Sequence, residues 1–122
     1  MIRHLLPQKG QIWRHFKGNK YRIMGIATPK LVLSANILYF ARDSEDFSLH
    51  PVFWETGDLF IKCSATFRDY QEEYVIYQDL SDKSKIWARD LVNFCSVVKV
   101  SEYFRQERFQ LVGFCNESES VK

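Results

Sequence analysis

Few cysteines, few glycines and no long apolar run bound what this chain of 122 residues can be. Cys63, Cys95 and Cys115 are odd in number and widely spaced, with no Cys-x-x-Cys pair. That excludes a disulfide framework and leaves them as small core hydrophobes. The longest apolar run, Ile37 to Ala41, falls far short of the roughly 20 residues a membrane helix needs. The first residues, Met1 to Lys9, hold no long apolar segment and no small-residue cleavage site. A cytoplasmic setting is therefore expected. The five glycines are scattered singly, so no phosphate-cradling Gly-rich loop exists, and no Gly-x-Ser-x-Gly elbow is present. Acidic residues are missing from positions 1–42, which carry eight Lys and Arg. The rest of the chain reverses the balance, and the net charge is only +2.

What is abundant is aromatic. Ten Phe, six Tyr and three Trp make up 16% of the chain. Rings in that number can build a core in one small domain, and they favour strands. Gln11 to Phe16 and Tyr21 to Ala27 read as a hairpin around Lys17-Gly18-Asn19-Lys20, where Gly and Asn tolerate positive φ. Alternation places Ile12, Arg14 and Phe16 on one face and Trp13 and His15 on the other. Gly25 inside the second strand points to a bulge or sharp bend. Leu31 to Phe40 fits a strand or a short buried helix equally well. Asp43 to Asp46 is a polar loop or helix cap. Val52 to Trp54 and Leu59 to Ile61 frame a second hairpin with Gly57 in its turn.

Arg68 to Glu73 reads as a polar connection. Tyr74 to Gln78 is the clearest strand. Lys85 to Arg89 follows as a short strand, Leu91 to Phe94 as a turn of helix and Ser96 to Val100 as a strand. Ser101 to Glu107 reads as a loop or helix turn, Arg108 to Val112 as a last strand, and residues 116–122 as a polar tail.

The stretch from Gly10 to Ala27, with Arg14-His-Phe-Lys-Gly18 at its centre, resembles the bacterial and phage "YRHFKG" family, domain of unknown function 1653. Further parts follow in order: Glu73 to Gln78, Trp87-Ala-Arg89 with Leu91 and Phe94 behind it, Glu102-Tyr103, and Gln106 to Phe109. The chain departs from the pattern between Thr28 and Gln71, where an insertion intervenes, and at Arg89-Asp90, where the family has Arg-Pro. Either Tyr74 to Gln78 or Pro51 to Trp54 can serve as the family's second strand. The first is preferred because the aromatic-x-Arg element follows it directly. The resemblance implies an SH3-like β-barrel, here with an inserted hairpin or short helix, as one domain over 1–115. It implies no activity.

Chemistry-bearing residues are sparse. His4, His15 and His50 are the only histidines, and none stands at metal-ligand spacing with a Cys or another His. No metal or cofactor is expected. His15 lies beside Arg14 and Lys17, which disfavour its cationic form and would leave a neutral base or hydrogen-bonding group. Arg14, His15, Lys17 and Arg89, together with Trp13, Tyr77 and Trp87, set cations beside rings. Arg forks bind phosphate or carboxylate, and rings stack bases. The plainer reading packs the rings into the core and pairs the arginines with Asp79 or Asp90.

The sequence thus points to a mainly β protein that acts as a non-catalytic binding module. Its candidate binding residues are Arg14, His15, Lys17, Tyr77, Trp87 and Arg89. The partner is a protein, a nucleic acid or a nucleotide met through a basic, aromatic face, with no membrane contact and with homo-oligomerisation left open. A small-molecule or nucleotide sequestering protein and an uncharacterised hydrolase are the alternatives.

Overall fold

The computed structural model describes residues 6–31, 36–62 and 72–114. Cys63, Cys115, His4, most of the 68–73 connection and the 116–122 tail lie outside the described residues. Strands β1 (Gln11–His15), β2 (Lys20–Lys30), β3 (Ile37–Asp43), β4 (Leu49–Glu55), β5 (Asp58–Lys62), β6 (Tyr74–Asp79) and β7 (Ile86–Asp90) come first. A single helical turn, α1 (Leu91–Phe94), precedes β8 (Val97–Ser101), β9 (Phe104–Glu107) and β10 (Phe109–Phe114).

Six strands close a mixed barrel in the order β2-β5-β4-β3-β7-β6 and back to β2. The β2–β5 and β3–β7 pairs are parallel, and the other four are antiparallel. Closure removes the open edges that a flat sheet would expose. The residues expected to form an insertion supply three of these staves, β3, β4 and β5. Ile37–Asp43 resolves as strand. Asp43 to Asp46 is a turn with no helix behind it: Asp43 Oδ1 accepts from the Glu45 and Asp46 amides at 2.7 and 3.3 Å.

The barrel interior is filled by Val52, Leu59, Ile61, Tyr74 and Ile76, with Ala27, Ala41 and Ala88 among them. The alanines are fully buried, and their small side chains leave room for the Tyr74 ring. Hairpin β4–β5 turns through Thr56 and Gly57, both at positive φ (50° and 85°). That is the two-residue geometry whose twist matches the flanking strands.

A second core lies outside the barrel. β6 is buried along its whole length. Tyr74 and Ile76 face the barrel, whereas Val75 and Tyr77 join Trp13, Ile23, Phe94 and Phe109. Phe94 and Phe109 stack at 4.0 Å and 7°, and Trp13 and Tyr77 meet Phe94 edge-on at 5.4 and 5.6 Å. β1 and β10 extend the sheet beyond β2 to cover this cluster.

Gly25 is what lets β2 serve both cores. The β2–β6 register shifts between Ile23 and Gly25. Without that bulge Ile23 and Ala27 would share a face. With it, Ile23 points to the outer core and Ala27 to the barrel. Gly25 holds φ +151°, and a Cβ there would meet Leu59 Cδ2 at 3.0 Å.

Two further readings of the C-terminal part meet the structure differently. Leu91–Phe94 is helical and capped by Asp90, whose side chain accepts from the Asn93 amide. The 101–107 segment is neither loop nor helix: Phe104–Glu107 pairs with β8, with Val98 opposite Gln106 and Lys99 opposite Arg105. The turn between them spans only Glu102 and Tyr103, so little of the segment is left unpaired. No helix among the described residues is long and apolar enough to cross a membrane.

Candidate functional site: a basic cavity walled by aromatic rings

β6 and β7 pair so that Tyr77 sits opposite Trp87 and Val75 opposite Arg89. Tyr77, Trp87 and Arg89 therefore share the face turned away from the barrel interior. The end of β1 and its turn bring His15, Phe16 and Lys17 to that face. The turn before β4 brings Ser44 and Phe47, and the start of β10 brings Arg108 and Phe109. These residues, with Asn19 and Tyr21, line a cavity of about 370 Å3. Pockets of this order hold small ligands.

The lining holds Lys17, Arg89, Arg108 and His15 and not one Asp or Glu. Arg89 is fixed by neutral partners. Its Nε donates to the Tyr77 hydroxyl at 3.0 Å, Nη1 donates to Asn93 Oδ1 at 2.5 Å, and its guanidinium lies 5.5 Å from the Phe109 ring centroid. Arg108 Nε donates to Ser96 Oγ at 3.1 Å. Among the described residues neither arginine has a carboxylate at ion-pair distance. Burial lowers the Arg108 pKa, and Arg89 lowers it further, while Tyr77 and Asp90 act the other way.

His15 records the same field. Burial pushes its pKa down to about 4, and Arg89, Arg108 and Lys17 add to the shift. The ring is neutral near pH 7. Its Nδ1 accepts from the Lys17 amide at 3.2 Å, so Nε2 carries the proton. Burial raises the Tyr77 hydroxyl pKa despite the neighbouring Arg89. A hydrogen-bonding approach of the Ser44 side chain to that hydroxyl opposes the shift. Ser44 Oγ is buried, and its approach to the phenol falls short of a well-formed hydrogen bond.

Of the six candidates read from sequence, His15, Lys17, Tyr77, Trp87 and Arg89 meet in this cavity. Arg14 does not. It alternates with Trp13 and His15 along β1, is exposed, and reaches Gln110 Oε1 at 3.5 Å. Asp79 and Asp90, named as alternative partners of the arginines, are otherwise engaged. Asp79 Oδ1 accepts from Ser81, and Asp90 caps α1. Arg108, Phe47 and Ser44 went unread. Arg108 precedes the Phe109 strand and could have been grouped with it. Phe47 had no signal, because its place depends on a φ of 63°.

Asp43, Asp46 and His50 form a second cluster, their ligand-type atoms within 4.8 Å of one another. Asp46 Oδ1 accepts from the Ser48 amide at 2.9 Å and hydroxyl at 2.6 Å, and Ser48 Oγ meets His50 Nε2 at 2.7 Å. These bonds shape the turn that carries Phe47.

A family model described as "Protein of unknown function (DUF1653)" matches residues 59–119, half of the chain. The chain belongs to the DUF1653 family. The DUF1653 match takes in β5 to β10, and with them Tyr77, Trp87, Arg89, Arg108 and Phe109. It includes Tyr74 to Gln78 and leaves out Pro51 to Trp54, in keeping with the preferred choice of second strand. The Arg14-to-Gly18 segment lies outside the matched span. No curated protein and no solved structure matches the chain.

Proposed function

We propose that this protein is a non-catalytic binding module that takes an anionic ligand in the cavity between β1, β7 and β10. One observation carries the reading: three permanent cations and a neutralised histidine line a ring-walled cavity that contains no carboxylate. Like charges gathered in a partly desolvated space repel, and an incoming anion relieves that repulsion. Arg89 is held in place by Tyr77 and Asn93, which leaves its charge unneutralised while fixing its orientation. A preset guanidinium loses little freedom when it binds phosphate or carboxylate. As part of the same proposal, β1, β2, β6, β7 and β10 form an SH3-like roll, and the cavity opens on it. The setting is cytoplasmic.

The experiment is native mass spectrometry of freshly purified protein, followed by calorimetric titration with inorganic pyrophosphate. The expected result is one bound anion per chain, with binding lost in Arg89→Gln and retained in Arg14→Ala. Failure of every anion to bind overturns the reading. Turnover of a phosphate ester that is lost in His15→Ala would establish a hydrolase instead.

A further inference from the structure

Phe47 is held at a cost. It is a bulky residue at φ 63°, in the left-handed region that aromatic side chains rarely enter, and the residue is 59% exposed. Neither feature favours folding by itself. The surrounding turn imposes both. The Phe47 amide donates to the Asp43 carbonyl at 2.9 Å, and Arg42 Nη1 donates to the Phe47 carbonyl at 2.6 Å. Asp43 Oδ1 in turn binds the Glu45 and Asp46 amides. The result places the Phe47 ring at the cavity wall, 6.2 Å from the Trp87 ring and inclined to it by 68°. Strain that the neighbouring structure over-determines gathers at ligand clamps.

We propose that Phe47 and Trp87 form an aromatic corner that selects a ligand with a flat ring, and that the ligand is a nucleoside phosphate. This inference rests on the anion-binding reading above. A ring stacked on one wall of the corner presents its edge to the other, the two arrangements aromatic groups favour. The phosphate then lies against Lys17, Arg89 and Arg108, whose three positive charges suit a dianion better than a single carboxylate charge. The buried Ser44 hydroxyl, in the same wall as Phe47 and beside the Tyr77 hydroxyl, is placed to bond a polar edge of the ligand. A free mononucleotide and the 5′-phosphorylated end of a strand share this chemistry.

The test titrates the whole chain with AMP, ribose 5-phosphate, adenosine, free phosphotyrosine and a trinucleotide with and without its 5′-phosphate. AMP is expected to bind about tenfold more tightly than ribose 5-phosphate, the usual scale of ring stacking, and adenosine to bind weakly. A 5′-phosphorylated trinucleotide at least as tight as AMP identifies a strand end as the source, and AMP alone identifies the free nucleotide. Ribose 5-phosphate equal to AMP, or phosphotyrosine tighter than AMP, overturns the inference while leaving the anion reading intact. No binding by any phosphate overturns the reading itself. Phe47→Gly separates clamp from packing. A clamp predicts a melting temperature that does not fall, AMP affinity reduced about tenfold and ribose 5-phosphate affinity unchanged. A lower melting temperature with both affinities reduced alike overturns the clamp. The wild-type comparison of AMP with ribose 5-phosphate decides the matter even if the variant does not fold.

Discussion

Arg89 Nε donates a hydrogen bond to the Tyr77 hydroxyl at 3.0 Å, across the diagonal of the β6–β7 pair. The phenol thus sets the direction of the cavity's central cation while its ring packs in the outer core. Tyr77→Phe keeps the ring and removes only the acceptor. The fold is expected to lose about 1 kcal/mol, the net worth of one such bond. Pyrophosphate affinity is expected to fall several-fold as the guanidinium loosens. Thermal melts and titrations on the same variant check both numbers, and an unchanged affinity would show that Asn93 alone orients Arg89.

His15 makes stability depend on acid. Its folded pKa is about 4, against 6.5 for the free side chain. Below 6.5 the unfolded chain takes up a proton that the folded chain refuses, so stability falls with pH from 6.5 to 4. Above 6.5 the residue is neutral in both states and contributes no slope. The acid penalty is expected to reach about 1–2 kcal/mol once solvent screening is allowed for. Denaturant melts of His15→Asn and the parent at pH 7 and pH 4.5 check this. The variant should lose less stability on acidification.

The sequence showed the strands better than their partners. Tyr74 to Gln78 announced β6 through its branched and aromatic residues. Its burial on both faces was not legible, because that depends on β1, β10 and α1 arriving from distant parts of the chain. The parallel β2–β5 and β3–β7 pairs have no tight turn to betray them, so Thr28 to Gln71 reads as an insertion although it supplies three of the barrel's six strands. The candidate site was legible at His15, which alternation sets on one face with Trp13, and at Trp87 and Arg89, which the family resemblance singles out. Arg14 was grouped with His15 by adjacency, and adjacency in a strand means opposite faces. Phe47 depends on a backbone conformation that no residue type in its turn signals.

Gly25 is expected to be intolerant of any side chain. Gly25→Ala places a Cβ 3.0 Å from Leu59 Cδ2 on a backbone at φ +151°. Leu59 is a core residue and can yield only by disturbing the barrel. A loss of about 1–3 kcal/mol is expected from the strain. Leu59→Val should recover part of it by vacating the contact. Chemical denaturation of the single and double variants measures the coupling.

The family resemblance expects proline at Asp90, and the N-cap φ of −59° there is one that a proline ring also holds. Asp90 Oδ1 accepts from the Asn93 amide at 2.8 Å, and Asn93 Oδ1 holds Arg89. Asp90→Ala is expected to cost about 1 kcal/mol through the lost cap. Asp90→Pro should restore the helix start but not the bond to Asn93. If the cap positions Arg89, the proline variant regains stability without regaining pyrophosphate affinity. Recovery of both would assign the effect to helix formation alone.

Ionic strength separates the cavity cations from the rest of the basic surface. Lys17 lies in the cavity wall, whereas Arg14 lies on the opposite face of β1, beside Gln110 and across from Lys20. Exposed charges more than about 10 Å apart are largely screened at 0.1 M salt, and partly buried ones are screened much less. Lys17→Ala is expected to weaken pyrophosphate binding about three- to tenfold, the scale of one partly exposed charge contact, and to keep most of that effect at 0.3 M salt. Arg14→Ala should cost less than twofold at low salt and nothing at high salt. If the two variants behave alike at both ionic strengths, binding follows the overall charge of the N-terminal third, and the cavity is not where the anion sits.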